Sequence, residues 1–218
     1  MEDPKRNQLL DKIPENLPVI PTIDVVVFPN MVVPLLILDE KIINGINKAL
    51  EGPKKVLLLA AKNQPENYQG PIGIQDLYHV GTVANIMRVM NLPDGGIKIL
   101  TQGIVRAEVE EISSENDSLM VKCRTITFDN EETDSDAVRE EVKKILLLVE
   151  KLSSSGKIFG PDFQVLLSQI DDPQRIAEFV LSHLTMNVEQ AQNLLEKKNA
   201  KELLKGIYEH LSSEVEIG

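Results

Sequence analysis

Aromatic side chains and cysteine are scarce in this sequence. Aromatic residues make up 4% of its 218 residues, and tryptophan is absent. Because 42% of the chain is nevertheless hydrophobic, the core must be built from valine, isoleucine and leucine. Cys123 is the single cysteine, which excludes an internal disulfide and a zinc site built of several thiolates. One thiol is typical of a protein from a reducing compartment.

Positive charge and long apolar runs are also in short supply. Lysine and arginine number 23 against 34 aspartate and glutamate residues, so the net charge is −11. An acidic chain repels phosphate backbones, and we therefore expect no direct nucleic-acid binding. No uninterrupted apolar run reaches the roughly 20 residues that span a bilayer, and the N-terminus "MEDPKRNQLLDKIPENLP" lacks the apolar core of a signal peptide. We expect a cytoplasmic protein without a membrane partner.

The sequence signatures of catalysis and of cofactor binding are missing. There is no G-x-x-x-x-G-K-[ST] phosphate loop, no G-x-S-x-G elbow and no H-E-x-x-H zinc motif. His79, His183 and His210 are far apart in sequence and are interpreted as surface or helix-face residues, and Cys123 as a packed thiol. We therefore predict that this chain has no catalytic residue, no metal site and no cofactor of its own.

From Leu17 to Phe128 the sequence has the pattern that is typical of a β-protein. Short runs of valine and isoleucine are separated by proline, glycine and asparagine, and the runs Val56–Ala61 and Leu119–Phe128 predict strands. The turn sequence "NLPDGG" at Asn91–Gly96 predicts a hairpin, because proline presets φ and glycine accepts positive φ. One helix, Asp39–Gly52, is expected to interrupt the strands.

The most apolar stretch is "DVVVFPNMVVPLLI", from Asp24 to Ile37. Its two prolines, Pro29 and Pro34, cannot donate to a β-ladder. We predict that "DVVVF" is a strand that Pro29 ends, that Asn30 lies in a turn, and that "MVVPLLI" is extended, with Pro34 at a sheet edge or a bulge.

After an acidic segment at 129–136 the hydrophobic period becomes helical. The spacing of apolar residues from Val138 to Leu152 predicts one amphipathic helix. A second helix should begin at Pro161, with Phe163, Leu166, Leu167 and Ile170 on one face, and Asp172 should cap a third. We predict a tail at 1–16, a β-rich subdomain at 17–128, a linker at 129–136 and a helical subdomain at 137–218.

Four blocks of this sequence resemble the N-terminal domain of the Lon protease family. "LPVIPTIDVVVFPNMVVPLLI" is similar to the family's L-P-V-L-P-L-R-D-V-V-V-F-P-x-M-V-x-P-L. "DLYHVGTVANI", "LPDGGIKILTQGIVRAEV" and "IDDPQRIAEFVLSHL" resemble later family motifs in the same order, and the likeness covers about 17–215. The family's usual arginine before the motif aspartate is Ile23 here, which leaves that arginine's pairing in doubt.

The resemblance implies an α+β fold: a β-rich, PUA-like pseudo-barrel with one helix, followed by a helical bundle. It also implies a role in substrate recognition and ring assembly. Full Lon proteins are homo-hexameric, ATP-dependent serine–lysine endopeptidases that degrade misfolded, damaged and regulatory proteins. Their ATP and Mg²⁺ belong to an ATPase module that this chain lacks. The chain itself is thus expected to bind unfolded polypeptide without catalysis, in the bacterial cytosol.

Two other interpretations remain open at this point. The chain could be a stand-alone domain of the Lon N-terminal type that binds a peptide or ligand with no protease attached. It could also be an enzyme with a novel site. A downstream reading frame that encodes a Walker motif and a serine–lysine dyad would favour a Lon protease over a stand-alone domain. A convergent polar cluster in a pocket would favour the enzyme with a novel site.

We predict that substrate binds to exposed apolar residues in two places. One is the proline-interrupted segment with Pro29, Met31 and Val33, and the other is the hairpin with Met87, Met90, Leu92 and Pro93. Alternation in a strand would put Ile86, Arg88 and Met90 on one face. The alternative is that the methionines fill gaps in the core.

Overall fold

The computed structural model describes residues 13–62, 74–115, 118–127, 135–154, 161–184 and 186–217. The chain forms two compact units, Met1–Thr127 with Asn187–Gln192, and Phe128–Met186 with Asn193–Gly218. Most of the predicted linker and tail lie outside the described residues, so the predicted domain bounds stay a prediction. Ile13 packs against a core cluster, and a strand begins at Asn16, one residue before the predicted start.

The first unit is a mixed sheet of six strands among the residues described. The strand order is β2-β5-β4-β3-β1-β6, and β5 also pairs with β6, so that five of the strands close into a ring and β2 is added at the edge of β5. Only β1 and β3 are parallel. The predicted α+β class is confirmed. The strands are β1 (Asn16–Thr22), β2 (Val32–Ile37), β3 (Lys55–Ala60), β4 (Val80–Asn91), β5 (Ile97–Glu115) and β6 (Ser118–Ile126).

Strand β3 is buried along its whole length because it serves two hydrophobic clusters. Val56 and Leu58 pack into one cluster, and Leu57 and Leu59 pack into the other on the opposite face of the sheet. Helix α1 (Glu40–Glu51) covers the first cluster with Ile42, Ile46 and Ala49. A strand that is buried on both faces has a continuous run of apolar residues, and for this reason the run "VLLLAA" correctly predicted strand β3.

Helix α1 begins where the sequence predicts it. The carboxylate of Asp39 accepts hydrogen bonds from the backbone N–H groups of Lys41 and Ile42, at 2.8 and 3.4 Å. These bonds satisfy donors that the first turn of a helix leaves free.

The stretch from Val25 to Phe28 is not a strand, contrary to the prediction from "DVVVF". Strand β1 ends at Thr22, and Asp24 has a left-handed backbone with φ of 64°. Val26, Val27 and Phe28 are buried as an irregular connection, and the carbonyl of Val27 accepts a hydrogen bond of 2.6 Å from Thr82 Oγ1. Apolar side chains here indicate burial, but the turn at Asp24 removes the backbone from the ladder.

The loop after Phe28 is fastened to β5 at Gly103. Asn30, with φ of 72°, donates its N–H to the Gly103 carbonyl, and the Gly103 N–H bonds the Met31 carbonyl, both at 2.9 Å. A Cβ at position 103 would lie 2.5 Å from the carbonyl oxygen of Phe28, so only glycine permits this approach. The predictions of a turn at Asn30 and of an edge position for Pro34 are confirmed, since β2 pairs only with β5 among the described strands.

The second unit is helical. Val138, Ile145, Val149 and Leu152 are buried on α2, and Asp172 caps α4 by accepting the N–H of Gln174 at 3.1 Å. The prediction for Leu166 is wrong, because α3 is short and buries only the stripe of Phe163 and Leu167, leaving Leu166 50% exposed. The helices of this unit are α2 (Asp136–Ser154), α3 (Pro161–Ser168), α4 (Pro173–Ser182) and α6 (Ala200–Ile217). Helix α5 (Val188–Leu195) is divided between the units, since its residues as far as Gln192 belong to the first. Within the described residues, no helix is long and apolar enough to cross a membrane.

Replacing Gly103 by alanine should destabilise the first unit by about 1–3 kcal/mol, because the added methyl group must push the Phe28 carbonyl away. The free energy of unfolding in urea measures the effect. Gly52→Ala is the matched control, since a Cβ there meets nothing nearer than the Ala49 carbonyl oxygen at 3.9 Å. Equal stability of the two variants would contradict the close approach at Gly103.

Candidate binding surface

Three strand segments form a ribbon whose outer side is exposed and apolar. In β2, Val32, Pro34 and Leu36 are exposed, whereas Val33 and Leu35 turn toward the first core cluster. Residues that lie opposite one another in the strand pairing continue this outer side from β2 across β5 to β4, in two rows. One row joins Pro34, Leu100 and Arg88, and the next joins Leu36, Lys98 and Met90. We call this surface the outer face; its residues are Val32, Pro34, Leu36, Met87, Arg88, Met90, Lys98 and Leu100.

A β-bulge at Met87 decides which residues of β4 belong to the outer face. Ile86 pairs with Thr101 and Arg88 pairs with the adjacent Leu100, so Met87 is an extra residue in β4. The bulge inverts the alternation. Ile86 is therefore buried in the core while Arg88 and Met90 are exposed. The prediction that these three residues share one face is wrong for this reason.

The hairpin tip extends the outer face. The Leu92 N–H bonds the Gly96 carbonyl at 2.9 Å, and Gly95 takes a φ of 95° that suits glycine. A Cβ on the buried Gly96 would lie 2.7 Å from Leu38 Cδ2 and 3.6 Å from Leu92 Cδ1. Leu38 and Leu92 thus border the same glycine, with Leu38 exposed and Leu92 half-buried. The predicted hairpin is confirmed, and its tip carries apolar side chains.

The structure divides the predicted binding residues. Met87 and Met90 are 51% and 54% exposed, so the alternative that they fill core gaps is wrong. Pro93 is exposed at the tip beside Leu92. The binding role of these four residues stays a prediction.

Pro29, Met31 and Val33 do not lie on the outer face. Pro29 is buried in the loop fastened to Gly103, and Met31 and Val33 pack against the first core cluster. The Met31 sulfur also accepts the Phe28 N–H at 3.2 Å. The alternation of β2 sends Val33 inward, whereas Pro29 and Met31 precede β2 and lie in the loop that is bonded to Gly103.

Sequence reasoning missed most of the outer face. In "VVPLLI" all six residues are apolar, so the pattern does not tell which alternate residues are exposed. The expected edge position of Pro34 concerns its backbone and does not tell on which face of the sheet its side chain lies. The missed apolar residues of the outer face are Val32, Pro34, Leu36 and Leu100, and Leu38 beside the hairpin tip was missed as well.

Two cations interrupt the apolar surface. Arg88 and Lys98 are both exposed, and within the described part of the chain neither forms an ion pair. Asp94, in the turn, is the only carboxylate in the sequence from 80 to 107, and the sequence from 25 to 38 has no charged residue.

The candidate reactive groups of the described residues are dispersed. No group of three or more histidine, cysteine, aspartate or glutamate residues there has the arrangement of a metal site. His79 is exposed, and His183 ends α4, where its ring packs against Phe163 and Phe179 with centroids 4.7 Å from each. These positions fit the surface and helix-face interpretation of both histidines.

Cys123 is a packed thiol, as the sequence indicates. It is half-buried on β6, pairs with Val109 and contacts the second core cluster. Loss of solvation raises the pKa of its thiol to about 11, and the negative charge of Glu110 adds to this effect. The thiol therefore stays neutral at physiological pH and is a poor nucleophile.

This pKa predicts slow alkylation of Cys123 in the folded protein. At pH 8 a thiol with a pKa of about 11 holds about a hundredfold less thiolate than one with a pKa of 9.0. The rate of reaction with iodoacetamide should be lower by a similar factor than in the same chain unfolded in guanidinium, and should rise as the pH approaches 11. Equal rates in the folded and unfolded chain would contradict the burial of the thiol.

The first unit thus combines a closed sheet with a ribbon whose outer side carries exposed apolar side chains. The family model of the ATP-dependent protease La (LON) substrate-binding domain matches residues 16–213. The chain therefore belongs to the family of Lon substrate-binding domains, and the resemblance found in its motifs is confirmed.

Bacterial Lon proteases are similar to this chain over nearly its whole length. The Lon protease of Desulfovibrio desulfuricans is 34% identical over 208 residues, which are 95% of this chain and 23% of the relative. That of Escherichia coli K12 is 30% identical over 220 residues, 99% of this chain and 26% of the relative. The chain thus spans about a quarter of the length of these relatives.

Solved structures of Lon N-terminal domains share the fold. The N-terminal domain of the Mycobacterium avium complex Lon protease matches with a TM-score of 0.63 at 22% identity, over 90% of this chain and 98% of that one. A Lon N-terminal domain protein from Xanthomonas campestris matches with a TM-score of 0.55 at 14% identity, over 87% and 95%. At these identities the likeness supports the fold alone.

Proposed function

We propose that this chain is the substrate-recognition module of an ATP-dependent Lon protease, and that its outer face binds exposed apolar segments of unfolded or damaged polypeptides. The observation that carries the proposal is the cluster of exposed apolar side chains on β2 and β4, with the partly buried Leu100 of β5 between them. Membership of the Lon substrate-binding family supports it, as do relatives that are named Lon proteases.

The shape of the outer face suits many sequences rather than one. The outer side of three paired strands is a broad surface to which several residues contribute. Met87 and Met90 have flexible, polarisable side chains that adapt to different contacts. Each buried Å² of apolar surface contributes roughly 25 cal/mol, so a short segment that covers a few of these residues binds weakly.

Weak binding by one face fits a role in an oligomer. We propose that the parent protein is a homo-hexamer, as the family resemblance implies, so that several copies of the outer face act on one unfolded chain. Linked sites raise the effective concentration of each next segment, and avidity can exceed single-site affinity by about 10²–10⁴. Such a module would retain unfolded chains and release folded proteins, whose apolar segments are buried.

We propose that catalysis resides in segments of the parent that this chain does not include. The relatives are about four times as long as the region that this chain matches. A serine–lysine peptidase and an ATPase with ATP and Mg²⁺ would occupy the remainder. Since the relatives come from bacteria, we propose the bacterial cytosol as the compartment.

Replacing Met87 and Met90 together by serine should weaken binding of an unfolded model protein about tenfold, because the two changes remove the exposed apolar contact area that β4 gives to the outer face. The thermal midpoint should change little, since both side chains are half exposed and support little of the core. Binding of reduced, alkylated α-lactalbumin, followed by fluorescence anisotropy, and a circular-dichroism melt measure the two effects.

The matched control is Leu147→Ser, which removes an exposed apolar side chain, 68% exposed, from α2 in the other unit. This variant should bind the unfolded protein as the original chain does. Equal losses from the control and from the methionine variant would contradict a binding site on the outer face. A large fall in the thermal midpoint of the methionine variant would show that the two residues support the core.

The isolated chain should neither hydrolyse ATP nor cleave casein, because its sequence contains no phosphate loop and no nucleophile–base pair at a recognisable spacing. Single-turnover assays at high protein concentration test this expectation. Activity that persists through stringent purification and scales with the amount of this chain would overturn it.

A further inference from the structure

We infer that the outer face selects apolar segments that also carry side-chain carboxylates, and that Arg88 and Lys98 are the residues that determine this preference. The inference rests on the proposed function, since it concerns the substrate class of the same surface. The occupant is an extended polypeptide segment in which apolar residues alternate with glutamate or aspartate.

The distribution of charge along the chain is the first observation. Acidic residues outnumber basic ones by 34 to 23, yet the two sequence segments that build the outer face, 25–38 and 80–107, contain Arg88, Lys98 and Arg106 against Asp94 alone. Arg106 is buried, so Arg88 and Lys98 are the cations that this region presents to solvent. The outer face is thus locally positive in a protein with a net charge of −11.

The placement of the two cations is the second observation. Arg88 lies opposite Leu100, and Lys98 lies opposite Met90 in the next row, so the cations are diagonal neighbours on β4 and β5. Diagonal neighbours in an antiparallel pair are about 7–8 Å apart. Carboxylates at positions i and i+2 of an extended chain lie on one side and are separated by a similar distance, about 7 Å.

The apolar surroundings give these cations more influence than isolated surface charges have. Leu36 and Met90 flank Lys98 in its row, while Pro34 and Leu100 lie in the row of Arg88. A segment bound on the outer face excludes water from these rows, which strengthens an ion pair formed there. A purely apolar segment would instead cover two cations without giving them a partner, and a basic segment would repel them.

The range of the interaction also favours a local effect. At an ionic strength of 0.1 M, charges further apart than about 10 Å are largely screened. The overall negative charge of the chain therefore opposes an acidic segment weakly, and the two cations in contact with it decide the preference. The preference should decline as salt is added, while the apolar part of the binding should not.

Three peptides of the same length and apolar residues test the inference. The alternate polar positions are all glutamate, all glutamine or all lysine, and the C-termini are amidated so that the terminal carboxylate contributes nothing. Binding to the 218-residue chain is measured by calorimetry at 0.05 and 0.3 M salt. We expect the glutamate peptide to bind about three- to tenfold more tightly than the glutamine peptide at low salt, with the lysine peptide weakest.

The double variant Arg88→Gln, Lys98→Gln should abolish the preference, so that the glutamate and glutamine peptides bind to it equally. The control Lys143→Gln, Arg175→Gln makes the same change of charge at two exposed positions of the second unit and should retain the preference. Equal binding of the glutamate and glutamine peptides to the original chain would overturn this inference and leave the proposed function intact. A preference that survives in the Arg88/Lys98 variant would also overturn it, and no binding of any peptide would overturn both.

Discussion

The first unit depends on how strand β5 is bent. Its 19 residues pair with β2 and β4 at one end and with β4 and β6 at the other, so that one strand belongs both to the ribbon and to the closed ring. A regular strand of this length would keep one face toward one core. The pairing of Ala84 with Gly103 and of Val83 with Val105 shows that Ile104 is an extra residue, which turns the following residues to the opposite face. Ile97 and Ile99 therefore pack into the first cluster, while Val105 and Ala107 pack into the second.

The bend in β5 separates the features of the fold that the sequence predicts from those that it does not predict. Strand β3, the hairpin turn and the start of helix α1 follow from local preferences, and the structure agrees with these predictions, whereas the strand predicted from "DVVVF" is an irregular connection. In β5 the odd positions from Ile97 to Val109 are apolar or small on both sides of the bulge, with Thr101 as the exception, so the pattern of hydrophobic residues does not show that the strand changes its core. The closure of the ring and the change of core could not be predicted from that pattern.

The candidate site was harder to predict than the fold for a related reason. Which residues lie on the outer face depends on which alternate side chains of β2 point outward and on the bulge at Met87. Neither can be inferred from the amino-acid composition. The sequence correctly predicted that Met87 and Met90 beside the turn are exposed, and their role in binding stays a prediction. It failed for Met31 and Val33, which belong to the same apolar stretch as Val32 but face the core.

An exposed apolar ribbon with a free edge strand carries a risk of self-association, and two features of the outer face oppose it. Pro34 lacks an N–H group in the edge strand β2, so a second strand cannot pair there without losing a hydrogen bond. Two copies meeting face to face would also bring the Arg88 and Lys98 of one against those of the other, since no residue of the outer face is a carboxylate and Asp94 lies beyond it in the turn. The charges that we propose to attract acidic substrates would thus also repel a second copy of the chain. The same two residues thus leave the apolar surface available to substrate and prevent it from associating with the same surface of a second copy.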